Sequence, residues 1–255
     1  MSAALPTSTL EYLLRLGDNA LVLSHRLSEW CGKGPALEED MALTNVALDL
    51  LGQARLWLSY AAELKGQGAD EDRLAYLRDA PEFRNVLLVE QPNREYSDTL
   101  IRQFFFDAWH ALALRELAQS SDPRISEIAV KARKEVTYHL RRSSDLVIRL
   151  GDGTATSNRM MQSAVDQLWP FTGELFETDE IDTTVASETV GFEAKKLKSE
   201  WQTYVTDVLA TGQLQLPPND IWMQKGGKRG IHSEHLSHML SQMQVLQRSH
   251  PGANW

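Results

Sequence analysis

The sequence holds a single cysteine, Cys31, among 255 residues, so no internal disulfide can form and a reducing compartment fits. Long apolar runs are missing too: nothing approaches the ~18 consecutive apolar residues that a membrane span needs. The opening stretch, MSAALPTSTLEYLL, has neither the basic lead nor the apolar core of a secretory signal. Basic charge is scarce, with 26 Lys and Arg against 35 Asp and Glu. The net charge of −9 argues against non-specific nucleic-acid binding and points to protein or small-molecule partners. No alternating β pattern, internal repeat or low-complexity block is present. These absences lead us to expect a cytoplasmic protein with no nucleic-acid and no membrane partner. A hydrophobic fraction of 42% is enough for a sizeable core.

Helical periodicity dominates what is there. Thr7 or Ser8, with Glu11, suits a capping box for a first helix reaching about Cys31, where Gly32 to Pro35 breaks it. A second helix is expected from about Leu37 to Leu64, and a short one near Arg73–Asp79. A third is expected from about Ser97 to Ser120, through the aromatic-rich Gln103–His110. The fourth, Ile125–Leu150, has Asp122 as cap, Pro123 at its first position and glycine at its end. Its apolar stripe reads Ile125, Ile128, Ala129, Ala132, Val136, Leu140, Ser143, Val147 and Leu150. Beyond it, helices are expected near Ser157–Glu174 (kinked at Pro170), Glu188–Leu209 and His232–Arg248, with an acidic loop at Glu177–Thr184. Four long helices in the first 150 residues, with a long link between the second and third, match a ferritin-like four-helix bundle with additional C-terminal helices. One domain is expected over 1–255, its core bundle about 8–150 and its accessory helices and tail about 151–255.

Bundles of this kind hold a di-iron pair with two carboxylates and two Glu-x-x-His pairs. No Glu-x-x-His occurs here. With Glu135 in the carboxylate slot of the fourth helix, its partner slot holds Tyr138. The matching slots hold Asp107, then Asp49 with Gly52, then Asp18 or Asn19. Such a set lacks the imidazoles that tune iron for oxygen chemistry. It reads as a degenerate metal site whose polar groups pair with each other and with arginines such as Arg55 or Arg142. Asp107 to His110 forms one isolated three-residue pair, read as a satisfied core histidine. His232, His235 and His238 would share one helical face, read as a solvated or interface face rather than a zinc site.

Several segments carry a family likeness: Arg15–Gly32, Leu43–Leu64, Leu87–Asn93, Gln103–His110, Glu135–Ser143, Leu175–Asp182 and the closing run from Gly226. Together and in this order they resemble the C-subunit family of multicomponent phenylacetyl-CoA epoxidases, over essentially the whole chain. The resemblance implies a non-catalytic structural subunit that binds no cofactor and has no catalytic residue. Its partners would be a di-iron catalytic A subunit and a small B subunit, served by a reductase carrying FAD and an iron–sulfur cluster. It also implies possible contacts to phenylacetyl-CoA at Glu82, Phe83, Arg84, Asn85, Thr183, Thr184 and Val185. The plainer alternative for those residues is an ordinary helix-start loop and acidic loop. Self-association is compatible with it. Two other readings stay open: a stand-alone ferritin-like di-metal oxidase, and a coenzyme A ester-binding regulator.

Overall fold

The computed structural model describes residues 4–218 and 220–253, with side chains from residue 7. Part of the opening stretch read for a leader, and the closing Asn254 and Trp255, lie outside the described residues. Among the described residues ten α-helices follow in order: α1 Ala4–Ser28, α2 Leu37–Lys65, α3 Glu71–Tyr76, α4 Tyr96–Leu117, α5 Pro123–Gly151, α6 Ala155–Leu168, α7 Glu180–Ser187, α8 Ala194–Thr211, α9 Glu234–Met243 and α10 Val245–Ser249. No strand occurs among the described residues, and no helix is long and apolar enough to cross a membrane. The chain divides into two compact units, one made of residues up to 92 and from 225 onward, the other of residues 93–224.

In the first unit α1 and α2 lie antiparallel. Gly17 faces Leu58, so a Cβ there would come within 2.7 Å of that side chain. Nearer the connection, Gly34 faces Asp40, whose carboxylate accepts the Gly34 N–H at 2.9 Å. The two pairs have nearly equal residue sums, as an antiparallel hairpin requires. α1 is the more enclosed of the two, with Leu13, Leu21, Val22, Leu23 and Leu27 essentially without solvent contact. Asp70 caps α3 by accepting the Arg73 N–H at 2.7 Å. A 3-10 turn at Ala80–Glu82 leads into a buried irregular stretch through Gln91. The chain then returns from residue 225 to cover that stretch. Gly227 and Gly230 lie so close that a Cβ on either would run into the carbonyl oxygens of Asn85 and Pro81 respectively, and Gly230 also has φ +78°.

In the second unit α4 and α5 are antiparallel, tied by Ser143 to Asp107 at 2.8 Å and by Ser126 to the Ala118 carbonyl at 2.7 Å. Every residue of α4 from Ser97 to His110 is buried. The aromatic run is therefore core. Phe105 meets Trp169 and Trp201 at centroid distances of 5.7 and 5.9 Å, and the Trp201 indole donates to the Phe105 carbonyl at 3.0 Å.

Four sequence expectations need correction. α1 is already helical at Ala4, so Thr7 and Ser8 lie within it rather than at its cap. The acidic loop is largely helix: Asp179 accepts the Ile181 and Asp182 N–H groups and starts α7. Acidic side chains in a first turn complement the helix dipole, so the same residues that read as loop act as a helix start. α8 begins at Ala194, after a bend that carries Thr189 at φ 57°. α9 begins at Glu234 and breaks at Gln244, which leaves His232 ahead of the helix and breaks up the expected three-histidine face.

Candidate functional site

Two buried polar clusters stand out, one in each unit. The first is built around α1. Asp18, with no solvent exposure, receives both terminal nitrogens of Arg78 in a bidentate ion pair and the Arg84 N–H at 2.8 Å. Arg78 also donates to the Glu82 carbonyl at 3.0 Å, and its guanidinium lies 4.3 Å over the Phe83 ring. The neighbouring Asn19 accepts the Val86 N–H at 2.8 Å. Both α1 candidates are therefore committed to holding the loop from residue 78 to 86. A buried pair of this kind is costly to break, at ~3–5 kcal/mol when one partner is removed.

Glu90 is the second anchor of this cluster and is likewise without solvent exposure. Its carboxylate accepts the Ser233 N–H at 2.7 Å, the Asn85 amide at 2.9 Å, and faces His232 Nδ1 at 2.8 Å. His232 Nε2 faces the Phe83 carbonyl at 3.0 Å. A carbonyl only accepts, so Nε2 carries a hydrogen; one further proton must then lie between Nδ1 and the carboxylate. The Glu90 carbonyl in turn accepts from Arg26 at 2.8 and 3.1 Å, and Arg26 also reaches the His235 carbonyl at 3.0 Å. The network closes the C-terminal segment over the loop.

The second cluster lies in the α4–α5 seam. Asp107 is wholly buried and accepts from Gln103 at 2.6 Å and Ser143 at 2.8 Å. Burial pushes its carboxyl up to about 6, against the opposing pull of His139, its two hydrogen bonds and Arg142. His110 is held down to about 3, first by burial and then by the charge of His139. The His110 Nδ1 has no hydrogen-bond partner, and its ring lies against Phe106 and Trp109 at 5.0 and 6.2 Å. His110 is a core histidine as expected, but not a satisfied one.

The six slots read as a degenerate metal site differ in burial, three of them lying in each unit. Asn19 and Asp107 are buried, Asp49 and Glu135 are half-buried, and Gly52 and Tyr138 face outward, Tyr138 at 54% exposure. At ~100° per residue Tyr138 lies about 200° from Val136, on the far side of α5 from the buried stripe. The inward position is His139, one residue later and fully buried. Sequence reasoning passed over it, although its spacing from Val136 and Ser143 places it on that stripe. Arg55 is exposed and paired with Glu71 at 3.3 Å, while Arg78, which was not foreseen, supplies the buried cation. Nothing local flagged Arg78, whose partner lies 60 residues away. Glu90 and Arg26 were missed for the same reason.

These donors do not fit a di-iron pair. Asn19 and Asp107 are spent on internal hydrogen bonds, Gly52 offers no side chain and Tyr138 points away. Among the described residues no group of three or more His, Cys, Asp or Glu side chains converges as a metal ion needs.

The seven residues implied as ester contacts are divided between the units. Arg84 pairs with Glu11 at 3.0 Å and donates to the Pro81 and Phe83 carbonyls. Phe83 and Asn85 are buried, and Glu82 is exposed while its carboxylate accepts the Asp79 N–H at 2.8 Å. Thr183 and Thr184 turn their hydroxyls back to the Asp179 and Glu180 carbonyls at 2.8 and 2.7 Å, and Val185 is core.

Long, paired antiparallel helices, with no strand among the described residues, define an all-α protein of the ferritin-like class. Known proteins narrow the class further. The model for the family described as phenylacetic acid catabolic protein matches residues 1–255. The chain is 51% identical over 244 residues to the C subunit of 1,2-phenylacetyl-CoA epoxidase from Escherichia coli (strain K12), spanning 96% of this chain and 98% of that relative. The chain belongs to the phenylacetic acid catabolic protein family.

Proposed function

We propose that this protein is a structural subunit of a phenylacetyl-CoA epoxidase complex in aerobic phenylacetate degradation, working beside a di-iron catalytic subunit and a small B subunit and holding no metal pair of its own. The observation that carries this reading is the state of the ligand slots. Two are spent on internal hydrogen bonds and two face outward, on a scaffold of the right class. The relative's name, as one subunit of an epoxidase, supports membership in a complex. The buried clusters fix loops and helix seams, which is the work of a scaffold.

Metal analysis and reconstitution test the reading together. The chain purified from iron-supplemented medium and dialysed is expected to keep well under one iron per molecule. Added to the catalytic subunit it is expected to restore epoxidation, and Glu135→Gln is expected to leave that activity within a few-fold. Two irons retained per chain, or a loss of several orders of magnitude in a folded Glu135→Gln variant, would overturn it.

A further inference from the structure

The contact between Glu90 and His232 holds one proton more than the same two side chains keep in water at neutral pH. Both are sealed from solvent, and they join the 80–91 loop to the segment that closes over it from residue 225. His232 Nε2 faces the Phe83 carbonyl and so keeps its hydrogen. Nδ1 faces Glu90 Oε2 at 2.8 Å, where two bare lone pairs would repel. A proton therefore sits between them. Once detached and exposed, the carboxylate is ionised, and an imidazole with its ordinary value of ~6.5 is mostly neutral above pH ~7. Each guanidinium nearby has a carboxylate of its own. From α1, Arg26 donates to the Glu90 backbone carbonyl and pairs with Glu29 at 2.7 Å. From the loop, Arg84 shares the Phe83 carbonyl with His232 and pairs with Glu11, while Arg78 is held by Asp18. On the closing segment, Lys228 and Arg229 precede His232, and Glu234 and His235 follow it. The other two donors to the Glu90 carboxylate, the Ser233 N–H and the Asn85 amide, are neutral.

We propose that the closing segment is a proton-operated clasp: it docks on the 80–91 loop with uptake of one proton, held between Glu90 and His232, and alkaline pH releases it. The sign follows from linkage. A proton held more tightly in the closed state gives stability that is full below the open-state value and is lost as pH rises. Above pH ~7 each further unit favours opening by about tenfold, until the closed pair itself gives up the proton. Acting within the first unit, this device is independent of the role proposed above.

Hydrogen exchange on the full chain tests it, with rates corrected for the intrinsic dependence of exchange on pH. The amides of Val86–Gln91 and of Ser233 are expected to open roughly tenfold more often at about pH 8.5 than at about pH 7.5. Those of Val136–Leu140 in α5 are expected not to change. Glu90→Gln is expected to reverse the sign. Its amide donates to Nδ1 of a neutral His232, and Asn85, whose side-chain oxygen has no partner, can turn to accept the second hydrogen. Opening then rises several-fold as pH falls from about 7 to about 5.5 and is flat above that range. His232→Gln, which keeps a donor for the Phe83 carbonyl, is expected to abolish the pH dependence. Wild-type opening that ignores pH, a Glu90→Gln variant with the wild-type sign, an undiminished dependence in His232→Gln, or an equal response in α5 would each overturn the proposal.

Discussion

Asp107 is a carboxylate held where its charge is unwelcome. Its ordinary value of 3.8 rises to about 6 through burial, so the folded state takes up a proton more readily than the unfolded chain. Whatever stability this gives is present in full below pH 3.8 and is lost as pH rises through about 6. A shift of about two units corresponds to ~3 kcal/mol between those limits. His110 works the other way. Held down to about 3, it favours the folded state above its ordinary 6.5 and loses that stability as pH falls toward 3. The two groups offset each other across mildly acidic pH. Asp107→Asn separates them. Gln103 has an unpartnered side-chain oxygen and can turn its amide to accept from the new asparagine. Urea unfolding at about pH 7.5 and about pH 4 is expected to favour the variant over wild type by ~2–3 kcal/mol more at the higher pH. Equal differences at both pH values would mean that Asp107 is not protonated over this range.

Among the elements, the loop from Ala80 to Gln91 and the Gly226–Gly230 segment fix one another, and Gly230 shows how tightly. Its φ of +78° disfavours any side chain, and a Cβ would also meet the Pro81 carbonyl and the Arg84 guanidinium. Gly32 has nearly the same φ, +76°, with nothing near it. Gly32→Ala is therefore expected to show backbone strain alone, ~1 kcal/mol, and Gly230→Ala ~2–4 kcal/mol by thermal melting. Equal effects would remove the clash from the account. Periodicity makes the long helices legible in the sequence itself, because their stripes follow from one local rule. It leaves their finer register open. The stripe of α5 can be drawn through Leu140 or His139, and only the packing of Asp107 against Ser143 shows that His139 faces inward and Tyr138 outward. The loop–tail contact was invisible for another reason: Glu90 and His232 are 142 residues apart, and no local pattern carries such a pairing.

For the molecule as a whole, chain order and spatial order part company in the first unit, which is begun by residues up to 92 and finished by those from 225. The closing segment carries much of the polar satisfaction. His232 and the Ser233 N–H hold the Glu90 carboxylate, Gln244 donates to the Ala75 and Arg78 carbonyls at 3.0 and 2.9 Å, and Arg248 reaches the Arg78 carbonyl at 2.9 Å. A chain cut after Gln224 retains all four long helices, so helix content alone would suggest that little is lost. The buried Glu90 carboxylate would nonetheless lose two of its partners and a covering layer, and an uncompensated buried charge disfavours the closed loop by several kcal/mol. Hydrogen exchange is expected to show protection lost between residues 75 and 92 in the truncated protein. A peptide of residues 225–255 supplied in trans is expected to restore it, whereas the same peptide with His232→Ala restores it only weakly. Full protection in the truncated chain would show that the first unit is complete without its C-terminal segment.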